Sequence, residues 1–101
     1  MEKDPKTPQK QEKEVVFTDN SHKDYFIRTI SENVDEMSLI WHKDQYTRDI
    51  EVIQSDNWQF QFDNKVPFKL ENNQKFTILR ECIHRVIKGS GDLILKIKEH
   101  K

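Results

Sequence analysis

From Trp58 to Ile97 apolar and polar side chains alternate, and that alternation decides the fold class. The apolar members are Trp58/Phe60/Phe62, Val66/Phe68/Leu70, Phe76/Ile78 and Leu93/Leu95/Ile97. A period of two puts every second side chain on one face of an extended strand, so each run predicts a half-buried β-strand. The breaks between runs carry turn chemistry: Asp63-Asn64, Asn72-Asn73 and Lys88-Gly-Ser-Gly-Asp92. Both glycines of the chain fall in the last of these, where left-handed backbone is expected. Short strands at close, even spacing predict an all-β fold, a small antiparallel sandwich or barrel.

The upstream half reads differently. Residues 1–14 contain no apolar side chain after Met1; such a segment cannot offset its ordering entropy by burial, which predicts a disordered leader. Residues 15–37 are expected to form a short strand or staple at Val15-Val16-Phe17-Thr18, then a helix from about Ser21 to Asn33 packed on the outside of the barrel. Asp19-Asn20-Ser21 offers N-cap chemistry, and Phe26, Ile30, Val34 and Met37 follow at helical spacing. The barrel itself is expected over 38–101. It would begin with strands at Leu39-Ile40-Trp41-His42 and Ile50-Glu-Val-Ile53, joined by the polar, aromatic stretch from Lys43 to Asp49.

Charge and cysteine usage narrow the function classes. With 17 basic against 18 acidic side chains there is no basic footprint for a polyanion, so nucleic-acid binding is not expected. No apolar run approaches the ~18 residues of a membrane span, and no apolar targeting segment opens the chain. A single cysteine, Cys82, excludes an internal disulfide and suits a reducing compartment. The expectation is a cytoplasmic protein without membrane or nucleic-acid partners.

Trp41-His42-Lys-Asp44, Arg48-Asp49, Trp58-Gln-Phe-Gln61, Asp63-Asn64, Pro67 and His84-Arg-Val-Ile-Lys-Gly89 together resemble the small single-domain cupins, the compact kind found in bacteria and tailed phages. The resemblance covers roughly residues 38–98. It implies a jelly-roll barrel, an interior metal and pairing into homodimers. Cupins carry two histidines and a glutamate in a first motif and a third histidine in a second. On this chain those positions fall on His42, Asp44, Arg48 and His84, and a guanidinium cannot ligate a cation. Asn73, Leu79 and Glu81 stand where the second motif usually has Gly, Pro and Gly.

The residues left are a candidate metal set, His42, Asp44 and His84. His42 and Asp44 sit two apart on a predicted strand and so share a face, with His84 expected across the barrel. Two imidazoles and a carboxylate suit Fe, Zn, Mn or Ni, with open positions for another ligand. Alternatively, Asp44 and Arg48 are an ion pair and His84 an interior histidine. A second candidate set would line a small-molecule pocket at the barrel mouth: Arg48, Arg85, Gln59, Gln61 and the face of Trp41, beside His84. Alternation sends either the glutamines or Trp58 inward, and Trp58 is expected in the core. Cys82, near His84, is read as an inert thiol. Lys96, Lys98 and Lys101 are read as guards on the last strand against edge pairing. Three functions remain open at this point: a cupin-like binder of a small molecule through a divalent metal, a metal-dependent oxygenase or isomerase using His42, Asp44 and His84, and a non-catalytic oligomeric module.

Overall fold

The computed structural model describes residues 16–101; the expected leader lies outside them. The described residues form two antiparallel sheets and no α-helix. The strands are β1 (Thr18–Ser21), β2 (Phe26–Ile30), β3 (Thr47–Asp56), β4 (Gln59–Phe62), β5 (Phe68–Lys69), β6 (Lys75–Ile78), β7 (His84–Ile87) and β8 (Ser90–His100). A five-stranded sheet runs β1-β2-β8-β3-β6 and a three-stranded sheet runs β5-β4-β7. The two face each other as an open sandwich, one of the two forms the alternation allowed, and the jelly-roll barrel expected over 38–101 is not closed.

Alternation built most of the core as predicted; Val66 is the exception, 84% exposed ahead of the two-residue β5. Leu93, Leu95 and Ile97 on β8, Ile50 and Val52 on β3, and Ile30 on β2 cluster with Phe60 on β4 and Trp58 just ahead of it, all buried. Trp58 is fully buried, and its indole N–H donates to the carbonyls of Ser90 and Gly91 at 3.1 Å, so its polar edge is satisfied where its ring is dry. Gly91 takes the left-handed backbone, φ 64. Gly89 does not; it is required for space, because a Cβ there would sit 2.4 Å from the Asp56 oxygen and the Trp58 nitrogen.

The predicted helix over residues 21–33 is instead the β1–β2 hairpin. Phe26 and Ile30 are four apart, a spacing that satisfies a period of two as well as 3.6. Ile27, Thr29 and Ile30 are β-branched and favour the extended chain. The decisive term is tertiary: β2 pairs with β8 from Phe26↔Ile97 to Ile30↔Leu93, and the supposed stripe residue Met37 is 82% exposed. The predicted strand at 39–42 is likewise reduced to one bridge, His42↔His84, after a 3-10 turn at Glu36–Ser38 capped by the Asp35 carboxylate. Finally, β8 lies between β2 and β3. Its lysines therefore guard no sheet edge; Lys96 lies over the Tyr25 ring at 4.4 Å.

Candidate metal centre and cavity

A single closed antiparallel pair brings the histidines together. The His42 N–H donates to the His84 carbonyl at 3.0 Å, and the His84 N–H returns the bond at 2.9 Å. Residues paired this way project their side chains from the same face, so the imidazoles meet, with centroids 4.3 Å apart. His84 is thus beside His42 and not across a barrel from it. Asp44 is pinned next to the pair because its carbonyl accepts from the Glu81 N–H at 2.8 Å. Glu81 makes that bond from a left-handed backbone, φ 63, a conformation uncommon for a glutamate and typical of strain kept at a site. Asn73, the other position where glycine is usual, is also left-handed, φ 72.

The second contacts of the rings set their chemistry. His42 Nδ1 lies 3.1 Å from the Ile40 carbonyl, and His84 Nδ1 lies 2.8 Å from the Cys82 carbonyl. A carbonyl can only accept, so Nδ1 carries the proton in each ring and Nε2 is left with a lone pair. Those two Nε2 atoms face Asp44: His84 Nε2 is 3.3 Å from Oδ2 and His42 Nε2 is 3.9 Å from Oδ1. Burial lowers the His84 pKa below its ordinary 6.5; the Cys82 carbonyl and Asp44 pull it up, while His42 and Arg48 push it down. The ring stacks on Phe60, centroids 5.3 Å apart, which fixes its direction.

Asp44 Oδ2 is buried and makes no hydrogen bond, although His84 Nε2 lies 3.3 Å away. Two lone pairs therefore face each other out of water, an arrangement that costs free energy unless a cation joins them. The three donors lie within 4.8 Å of one another. A tetrahedral ion with bonds of 2.0–2.1 Å holds its ligands ~3.3 Å apart, and His42, 44% exposed on an irregular segment, is the donor free to close the difference. The donor set fits a divalent transition ion.

Arg48 does not oppose this because it is compensated. It alternates inward with Ile50 and Val52 on β3, opposite Glu99 on β8. Its Nε and Nη2 donate to Glu99 Oε2 at 3.0 and 2.7 Å, while Nη1 is 3.4 Å from Asp44 Oδ1. The ion pair expected between Asp44 and Arg48 thus coexists with the histidine cluster. Glu99, the residue that neutralises Arg48, carried no motif in the sequence; its inward register on β8, two beyond Ile97, was the available signal.

The cluster opens on a cavity of about 290 Å³ between the sheets. His42, His84, Arg48 and Arg28 touch it, and most of its wall is hydrocarbon from Ile30, Ile50, Ile78, Val86, Leu95 and their neighbours. Val16 and Phe17 line it on the N-terminal side. Phe17 rests against the Arg28 guanidinium, 3.6 Å from centroid to Cζ, and Arg28 is held in two 2.9 Å bonds by Asp19.

Of the residues expected at a pocket mouth, Arg48 and His84 line this cavity. Arg85, Gln59, Gln61 and Trp41 do not, because β4 and β7 turn Phe60, His84 and Val86 inward and so turn Gln59, Gln61 and Arg85 outward. There Arg85 donates to Gln61 at 2.9 Å and covers the Trp41 ring at 4.5 Å. Cys82 is partly buried and contributes its carbonyl.

No protein-family model matches the sequence, and no curated protein matches it. Solved structures are similar in fold. A cupin domain from Bordetella pertussis matches with a TM-score of 0.58 at 12% identity, over 85% of this chain and 93% of that one. A protein from Neisseria meningitidis matches with a TM-score of 0.58 at 10% identity, over 83% and 82%. A candidate mannose-6-phosphate isomerase from Ralstonia eutropha matches with a TM-score of 0.56 at 14% identity, over 83% and 82%. The chain has a cupin-like β fold. Among the described residues no helix is long and apolar enough to cross a membrane.

Proposed function

We propose that this protein binds a divalent transition-metal ion through His42 Nε2, His84 Nε2 and the Asp44 carboxylate, and holds a small molecule in the adjoining cavity. The observation that carries the reading is the unsatisfied, buried Asp44 Oδ2 facing an imidazole nitrogen whose proton is committed to the other side of the ring. Iron, zinc, manganese and nickel all accept two imidazoles and a carboxylate. Three protein donors leave coordination positions open, which is also what an oxygenase or an isomerase would require. A sugar phosphate, suggested by the name of the Ralstonia neighbour, suits the cavity poorly because its wall offers few hydrogen-bonding groups.

The test is elemental analysis of the purified protein beside His84→Ala and His42→Ala, each checked for folding by circular dichroism. Near-stoichiometric metal in the wild type, lost in both folded variants, is the expected outcome. A wild type that stays metal-free after incubation with each of the four ions would remove the reading. The protein would then be a metal-free binding or oligomeric module.

A further inference from the structure

The cavity's chemistry narrows its ligand to a class, and the narrowing rests on the metal reading above. Among the described residues, five charged side chains line the cavity or pair directly with an arginine that does; Lys101, 3.9 Å from Glu99 Oε1, is 70% exposed and screened by water, so it stays outside this count. Arg28 and Arg48 line it, Asp44 and Glu99 hold Arg48, and Asp19 holds Arg28. Three carboxylates against two guanidiniums leave one negative charge. A divalent ion turns that into one positive charge, placed at the end of a largely hydrocarbon chamber.

An uncompensated charge in such a setting favours a counter-charge of one unit. A neutral ligand would leave the positive charge bare, and a dianion would replace it with a negative one. Size acts alongside charge, because 290 Å³ is at the bottom of the range for small-molecule sites, ~300 Å³ and upward. Inward-facing Ile30, Ile50, Ile78 and Leu95 offer the ligand's body no hydrogen-bond partner. We infer that the cavity takes a small, mostly hydrocarbon monocarboxylate, its carboxylate at the metal end by His42, His84 and Arg48 and its hydrocarbon between the sheets. A carboxylate oxygen is a natural occupant of the coordination positions that the three protein donors leave open.

The experiment begins with Co²⁺ titration of the full chain, followed by its visible absorption. Failure of Co²⁺ to bind overturns the metal reading and the inference with it. On the cobalt-loaded protein, acetate, butanoate and hexanoate are then titrated beside hexanamide, hexanedioate and mannose 6-phosphate, by absorption and by calorimetry. The expected result is a hexanoate-dependent change in the cobalt spectrum, with affinity rising two- to fourfold per methylene, the upper figure being that of full burial at ~0.8 kcal/mol each. Hexanoate should exceed the amide and the diacid at least tenfold. Equal binding of hexanamide, tighter binding of hexanedioate or mannose 6-phosphate, or no gain from acetate to hexanoate would each overturn the inference while leaving the metal site standing. Val86→Phe supplies a second arm: it narrows the cavity without altering a donor, so Co²⁺ should still bind and hexanoate should not. Unchanged hexanoate affinity in that variant would place the acid elsewhere and overturn the inference.

Discussion

Glu99 touches no candidate ligand atom, yet its removal should weaken metal binding, and removing its partner Arg48 should strengthen it. The Arg48 guanidinium lies between the two carboxylates, 2.7 Å from Glu99 Oε2 and 3.4 Å from Asp44 Oδ1. With Glu99 neutral, the full positive charge falls on Asp44 and competes with the ion for the same carboxylate. In Glu99→Gln the ion also loses a negative charge at a distance on the order of 8 Å. For a doubly charged ion that is ~1 kcal/mol in water and ~4 kcal/mol at an effective dielectric of 20. The two side chains are 14% and 19% exposed, which puts the site between those limits. A loss of about 10- to 100-fold in affinity is expected, the size usual for residues that support ligands from behind.

Arg48→Gln reverses the sign. It frees Asp44 of a competitor and leaves the Glu99 charge in place, so affinity should rise although the protein loses some stability from an unpaired, partly buried carboxylate. Competition titration of Co²⁺ or Zn²⁺ against a chromophoric chelator at neutral pH reads both variants, with circular dichroism as the check on folding. Opposite signs are the mark of charge compensation. A supporting role through packing alone would weaken binding in both variants, and that result, or no change in Glu99→Gln, would refute the reasoning.

Three other outcomes follow from the same structure. Adding metal at a hundredfold excess over its dissociation constant should stabilise the fold by ~2.7 kcal/mol; a chelator should then lower the melting temperature by roughly 10 °C or more, and His84→Ala should abolish the difference. Gly89→Ala drives a Cβ to 2.4 Å from the backbone of Asp56 and Trp58, so thermal denaturation should show a loss of about 1–3 kcal/mol; at Gly91, open space but φ 64 predicts about 1–2 kcal/mol. The Asp49 pKa is held below its ordinary 3.8 by hydrogen bonds from His100 and Thr77. Its ionised form is therefore favoured by folding: the contribution is present above about pH 4 and lost as the pH falls through the folded value. Asp49→Asn should accordingly flatten the acid limb of a stability–pH curve.

The parts of the fold that were legible in the sequence are those where one physical signal acted alone. Leu93/Leu95/Ile97 and Trp58/Phe60 alternate with no competing period, and they are the core. Asp63-Asn64 and Asn72-Asn73 marked turns, and Asn64 and Asn73 adopt there the positive φ that asparagine tolerates. Where two signals coincided, the local one misled. Phe26 and Ile30 fit a helix and a strand equally, and an N-cap-like Asp19-Asn20-Ser21 tipped the local balance toward helix. What decided the matter was pairing with β8, a partner 60-odd residues away that no window of sequence contains. Glu81 is the opposite case, a left-handed residue whose side chain gives no hint of it, because the conformation is imposed by the bond to Asp44.

The candidate site divides along the same line. His42, Asp44 and His84 were singled out by residue type and spacing, and they do converge, but by a route other than the expected one. A shared strand face across a barrel was predicted; a single backbone pair, His42↔His84, brings the rings together from adjacent segments. The convergence was robust to that error because residue identity survives a change of path, whereas the grouping of the pocket set was not. Gln59, Gln61 and Arg85 were grouped with Arg48 by polarity, and polarity says nothing about which face of a sheet a residue takes. Arg48 itself shows why motif reading stops short of electrostatics. Taken as the position of a missing carboxylate ligand, it is a positive charge spoiling a metal site. Taken with Glu99, its cross-strand neighbour on β8, it leaves Asp44's charge available, so the carboxylate that the motif lacks at 48 is supplied at 99, one bridge removed from Asp44.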